Sequence, residues 1–229
     1  MFKFENWGLI DYEMALNRQL EKVEQVAESK THEDGFLIFC SHPPIVTLGR
    51  KTQEGDVFAW PGEIKEISRG GRATYHGPSQ LVVYPILKIT DIGKYLRSLE
   101  DSIIHVLKSY GVDAVGKTLQ KKSETDPTTE ETGVWIGHQK IASLGIGVKK
   151  WVTYHGAAIN LDEDPNAFQG MKPCGFSKET MVSLEKLIGE KVDRQKFQDR
   201  LQTELNSVFS LVSQRETKGK SLPIRTPRA

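Results

Sequence analysis

The sequence predicts an α+β fold, and three observations predict it. Short apolar runs at strand length recur along the chain. Only three segments carry a 3.6-residue apolar period. Strands and helices do not alternate regularly, so a doubly wound parallel sheet is disfavoured.

The elements follow in order. Asp11 caps a helix whose apolar positions Tyr12, Leu16, Leu20, Val23 and Ala27 step by three and four. Gly35 opens FLIFC (36–40), a buried strand, and SHPP (41–44) turns the chain because two prolines cannot donate ladder hydrogen bonds. IVTLGR (45–50) returns as a strand, residues 51–63 form a polar loop, and EIKEISR (63–69) alternates like a strand. RGGRATYHGPSQ (69–80) is glycine-rich without apolar period and reads as a loop before the strand LVVYPILKI (81–89). A second helix carries Leu96, Leu99, Ile103, Leu107 and Tyr110 on one face and stops at Gly111. Residues 117–132 read as a mobile polar loop. Apolar stretches at 133–139, 140–150 and 151–161 precede a loop at 162–180. A third helix, capped by Asp193, buries Phe197, Leu201, Leu205 and Phe209. We expect one domain over 1–210 and a polar, basic, frayed tail over 211–229.

Composition narrows the function. The chain has 229 residues, enough for a core without disulfides or metal. Its 31 basic and 30 acidic residues leave a net charge of +1, which argues against a broad nucleic-acid footprint. No targeting leader and no run of membrane-spanning length is read, so we expect a cytoplasmic protein that binds neither membrane nor nucleic acid. Two cysteines provide no disulfide framework. Cys40 lies in an apolar strand and reads as core. Cys174 lies between Pro173 and Gly175 in a long loop and reads equally well as a reactive thiol. A nucleophilic thiol needs a cation or base nearby, and Lys140, His76, His138 and His155 are the candidates. His42, His76, His155 and Cys174 match no compact zinc spacing, so no metal is expected.

Two segments are unusually bare. In KIASLGIGV, Leu144, Ile146 and Val148 share one strand face, and Ser143, Gly145 and Gly147 the other. Gly156, Ala157 and Ala158 are similarly small. Such faces suit either close packing of elements or a narrow slot for an unbranched chain. Arg69, Gly70, Gly71, Arg72 and His76 suit an anion cradle, without the Gly-Lys-Ser/Thr of a Walker loop.

Taken together, SHPPIVTLGR, RGGRATYHGPSQLVVYP, GVWIGHQKIASLGIGV, WVTYHGAAINL and MKPCGFS resemble the octanoyltransferases of lipoate biosynthesis, in order and spacing, up to about residue 184. The resemblance implies a mixed, largely antiparallel sheet flanked by helices, as in the catalytic domains of biotin and lipoate ligases. It implies transfer of an octanoyl group from octanoyl-acyl carrier protein to a lysine of lipoyl domains, those of 2-oxoacid dehydrogenases and the glycine cleavage H protein, without a cofactor. Cys174 matches the family's thioester-forming nucleophile and Lys140 the lysine that promotes its ionisation. Arg69, Gly70, Gly71, Arg72, Ala73, Thr74, Tyr75 and His76 match acyl-substrate segments, as do Ser143, Leu144 and Gly145, and Gly156, Ala157 and Ala158. Backbone amides near Gly71 or Gly175 are the expected oxyanion donors. Ser79 stands where the family usually has glycine; if that turn needs positive φ serine strains it, or else the turn has changed type. MVSL (181–184) also departs from the family's Val-Thr-Ser-Leu. Lys117, Lys121, Lys122, Lys149 and Lys150 either face the acidic carrier or form a solvated surface. The rival readings are an ATP-dependent lipoate or octanoate ligase, a non-catalytic acyl-carrier or lipoyl-domain binding module, and a zinc-binding module.

Overall fold

The computed structural model describes residues 2–31, 34–118 and 131–218. In chain order the elements are β1 (Lys3–Leu9), α1 (Tyr12–Glu28), β2 (Gly35–Ser41), β3 (Ile45–Leu48), β4 (Glu63–Glu66), β5 (Thr74–His76), β6 (Gln80–Leu87), α2 (Ile92–Lys108), β7 (Val115–Gly116), β8 (Gly133–Ile136), β9 (Gln139–Lys149), β10 (Val152–Asn160), α3 (Leu184–Ile188) and α4 (Arg194–Lys218). Seven strands form one sheet in the order β1-β2-β6-β10-β9-β8-β7, and β4-β3-β5 form a second. Within the large sheet only β1 and β2 run parallel. The predicted α+β class, with a mixed and largely antiparallel sheet, is therefore what the chain adopts.

The period of two sorts the core. Phe36, Ile38 and Cys40 of β2, with Val82, Tyr84 and Ile86 of β6, face α1. Leu37, Phe39, Leu81, Val83 and Leu87 face α2 and α4 on the other side. Both faces of the central strands are covered, which is why FLIFC is a continuous apolar run rather than an alternating one.

Some expectations need correction. β1 was not foreseen in the sequence; it is an edge strand whose residues are mostly exposed or half-buried. The buried face of α1 is Tyr12, Ala15, Gln19, Val23 and Val26, rotated from the predicted stripe because Gln19 is drawn inward as a hydrogen-bond partner. The glycine-rich stretch 69–80 contains β5, pinned to β3, and ends where β6 begins. α4 runs on to Lys218, past the expected end at Ser210. Most of the predicted 117–132 loop, with Lys121 and Lys122, and residues 219–229 of the expected tail lie outside the described residues. The helix caps are as read: Asp11 accepts from the Met14 amide at 3.0 Å, and Asp193 from the Lys196 amide at 3.0 Å. No described helix is long and apolar enough to cross a membrane.

Candidate functional site

A narrow cavity of about 30 Å³ lies between the two sheets. Its walls are Thr74 and His76 from the small sheet, Val82 and Tyr84 from β6, residues 143–145 from β9, 155–158 from β10, and Tyr12, Arg69, Gly71 and Cys174. Alternation on β5 explains the sorting. Thr74 and His76 face the cavity, whereas Tyr75 turns the other way into a small cluster with Phe168 and Met171. Ala73 belongs to that cluster as well. Arg72 turns away to Asp56, and Gly70 lies in a neighbouring cleft.

The bare face of β9 serves both expected purposes. Ser143 and Gly145 line the cavity, and a Cβ at Gly145 would approach Arg69 Cδ at 3.0 Å and the Gly70 carbonyl at 3.2 Å. Gly147 is close packing: a Cβ there would lie 2.2 Å from the Tyr154 ring.

Cys174 occupies a single 3₁₀ turn, Pro173–Gly175, with φ 55° and ψ 21°. A non-glycine residue in this left-handed region stores about 1–3 kcal/mol of strain, the kind held at functional positions. Its amide donates to the Ala73 carbonyl at 2.8 Å. The Gly175 amide donates to the Lys172 carbonyl at 3.0 Å, so it is already engaged, whereas Gly71 lines the cavity. Ser79 does not adopt positive φ, so the condition for strain is not met; its hydroxyl reaches Asp164 Oδ2 at 3.4 Å.

The candidate activating groups fall in different places. His138 is exposed in the turn between β8 and β9. Lys140 is fully buried at the start of β9, its Nζ 5.4 Å from the Trp135 ring centroid and 5.9 Å from that of Phe176, two residues past Cys174. His76 and His155 line the cavity. Burial pushes the His155 imidazole down to about 3, helped by the Arg69 guanidinium, and His42 down to about 4. His76 is lowered by burial first, then by His42 and Arg69. All three are neutral at pH 7.

A polar network that includes part of the cavity wall was not read from the sequence. The Tyr12 hydroxyl meets His155 Nδ1 at 3.3 Å, and Tyr12 stacks on His76 with centroids 5.6 Å apart. His42 Nε2 meets the Tyr84 hydroxyl at 2.7 Å. His155 has φ 58°, and its amide donates to Gln19 Oε1 at 2.7 Å. One signal was available: Tyr12 and Gln19 share a helix face and place polar atoms on a buried stripe. Among the described residues no group of three or more His, Cys, Asp or Glu is arranged to hold a metal ion.

Comparisons with known proteins bear on this site. Residues 11–206 match the lipoyl protein ligase A/B catalytic domain. An octanoyltransferase of Bdellovibrio bacteriovorus is 51% identical over 216 residues, covering 90% of this chain and 98% of that one. An octanoyltransferase of Caldicellulosiruptor bescii is 37% identical, covering 95% and 91%. A lipoate protein ligase structure from Thermoplasma acidophilum with bound lipoic acid superposes with a TM-score of 0.72 at 13% identity, covering 95% and 94%. Lipoate-protein ligase A bound with ATP gives 0.68 at 17%, covering 96% and 95%. A biotin protein ligase from Aquifex aeolicus with biotin and ATP gives 0.51 at 12%, covering 96% and 75%. At these identities the solved structures speak for the fold alone.

Proposed function

The chain belongs to the octanoyltransferase family, acyltransferases on the lipoyl protein ligase A/B catalytic domain, and from that premise we propose that it moves an octanoyl group from octanoyl-acyl carrier protein to a lipoyl-domain lysine through a Cys174 thioester. The observation that carries this reading is the strained Cys174 turn in the wall of a slot whose β9 and β10 sides present Ser143, Gly145, Gly156, Ala157 and Ala158.

The chemistry is balanced without ATP. The Cys174 thiolate attacks the carrier thioester; a new C–S bond forms, the old one breaks, and the carrier sulfur leaves with the proton that Cys174 gave up on ionising. One thioester replaces another at little net cost. The neutral acceptor amine then attacks the acyl-enzyme, a new C–N bond forms as the C–S bond breaks, the proton lost by the nitrogen returns to Cys174, and the amide formed is more stable than the thioester consumed. Lys140 acts on Cys174 either as an ammonium that favours the thiolate or as a neutral base. Each step passes through a tetrahedral oxyanion. Gly71, in the slot wall, is the better of the two expected donors, because the Gly175 amide is already bonded. The acceptors follow from the family: lipoyl domains of 2-oxoacid dehydrogenases and the glycine cleavage H protein. Segments 143–145 and 156–158, with Arg69, Thr74 and His76, hold the acyl chain.

Intact-mass spectrometry after mixing with octanoyl-carrier and no ATP tests the reading. An octanoyl adduct on Cys174 is expected, followed by its loss when a lipoyl domain is added. Product that appears only with ATP would instead identify a ligase. Binding of octanoyl-carrier with no adduct would identify a binding module.

A further inference from the structure

Asp56 and Arg72 take no part in the steps above, yet they grip the nucleophile's turn. Asp56 sits in the loop between β3 and β4 and has no exposed surface. Arg72 Nε donates to Oδ2 at 3.0 Å and Nη2 to Oδ1, a two-pronged contact. The Gln53 amide also donates to Oδ2, at 2.9 Å. The Asp56 carbonyl accepts from the Lys172 amide at 2.7 Å, two residues before Cys174. Arg72 Nη1 presses on the far side of the turn: a Cβ at Gly175 would lie 2.4 Å from it. Ala73, next to Arg72, accepts the Cys174 amide. The turn is thus held before, at and after its cysteine.

A buried ion pair is seldom the most stabilising filling for its volume, since apolar side chains avoid the desolvation cost. Its particular gift is fixed orientation. We infer that Asp56 and Arg72 are positioning residues, a clamp that keeps Cys174 and Gly175 left-handed and the sulfur on the slot wall. The inference rests on the acyl-enzyme reading of Cys174. Released from the clamp, the dipeptide relaxes toward unstrained backbone and the sulfur leaves the wall.

The double variant Asp56→Leu with Arg72→Met tests this, because it removes both charges and retains apolar volume. Three quantities are read: melting temperature, octanoyl uptake by intact mass, and the pH profile of Cys174 alkylation by iodoacetamide. The expected result is a melting temperature near wild type, uptake slowed by about tenfold to a hundredfold, and a displaced alkylation profile. Wild-type uptake with a wild-type profile would overturn the clamp. If the double variant fails to fold, Arg72→Lys decides, since it keeps the charge and loses the fork. Slowed uptake at an unchanged melting temperature supports the clamp, and unchanged uptake overturns it. If wild type itself gains no octanoyl mass, the acyl-enzyme reading fails, while the alkylation profiles still judge the clamp.

Discussion

The two cysteines are almost equally hidden, Cys40 at 3% exposure and Cys174 at 6%. They differ in everything else. Cys40 lies in β2, opposite Val82, with its Sγ 3.6 Å from His42 Nε2. Burial pushes its thiol up, away from the thiolate. Cys174 lies in a left-handed turn, on a cavity wall, beside a clamped guanidinium and an aromatic ring that meets Lys140. Burial therefore does not distinguish a thiol read as core from the one proposed as nucleophile. Backbone conformation and the groups brought against it do.

The sharpest way to break this contrast is exchange at the two sites. Cys174→Ser is expected to lose the octanoyl adduct entirely, because a hydroxyl has no comparable thiolate, while Cys40→Ala retains it; intact mass reads both. An adduct that persists in Cys174→Ser at the same residue would reverse the assignment. Next in size is Lys140→Ala, expected to slow uptake by about 10²-fold or more and move Cys174 alkylation to higher pH. An unchanged alkylation profile would show that another group activates the thiol. Ala158→Leu sharpens the slot itself. Added bulk in a packed wall costs about 1–3 kcal/mol of stability, and octanoyl uptake should fall while alkylation by small iodoacetamide continues. Uptake that tolerates leucine there would place the acyl chain elsewhere.

The smallest effect concerns two buried histidines, His155 in the slot wall and His42 against Tyr84. His42 and His155 have folded values near 4 and 3, below the ordinary 6.5. The unfolded chain therefore takes up protons first as pH falls, so stability is present above about 6.5 and is lost toward acid. Between pH 6.5 and 5 the loss is about 2 kcal/mol per buried imidazole. Urea unfolding at the two pH values checks this, and His155→Asn, which tolerates positive φ, should flatten the slope. An identical slope in that variant would mean that His155 does not stay neutral in the fold.

Much of this was legible beforehand, for reasons that vary by residue. Asp11 and Asp193 are readable as caps because a cap involves only the next three residues. FLIFC and LVVYP are readable as strands because a short continuous apolar run bounded by turn residues is a local signal. The family segments named the stretches around the slot. They did not say which residues within them face it. Tyr75 and Thr74 are neighbours in the same motif, yet one packs against Phe168 and the other lines the cavity. The loop at 51–63 looked featureless, although it holds Asp56.

The order of residues alone determined the class of fold, its caps and its slender strands, since each is a matter of period or composition over a few neighbours, and its motifs carried the resemblance to a family. Only the folded chain decided that Arg72 turns to Asp56, that Gln19 serves His155, and that Cys174 is held left-handed. Those contacts join segments distant in sequence, and their geometry exists only once two sheets have packed together around a shared slot.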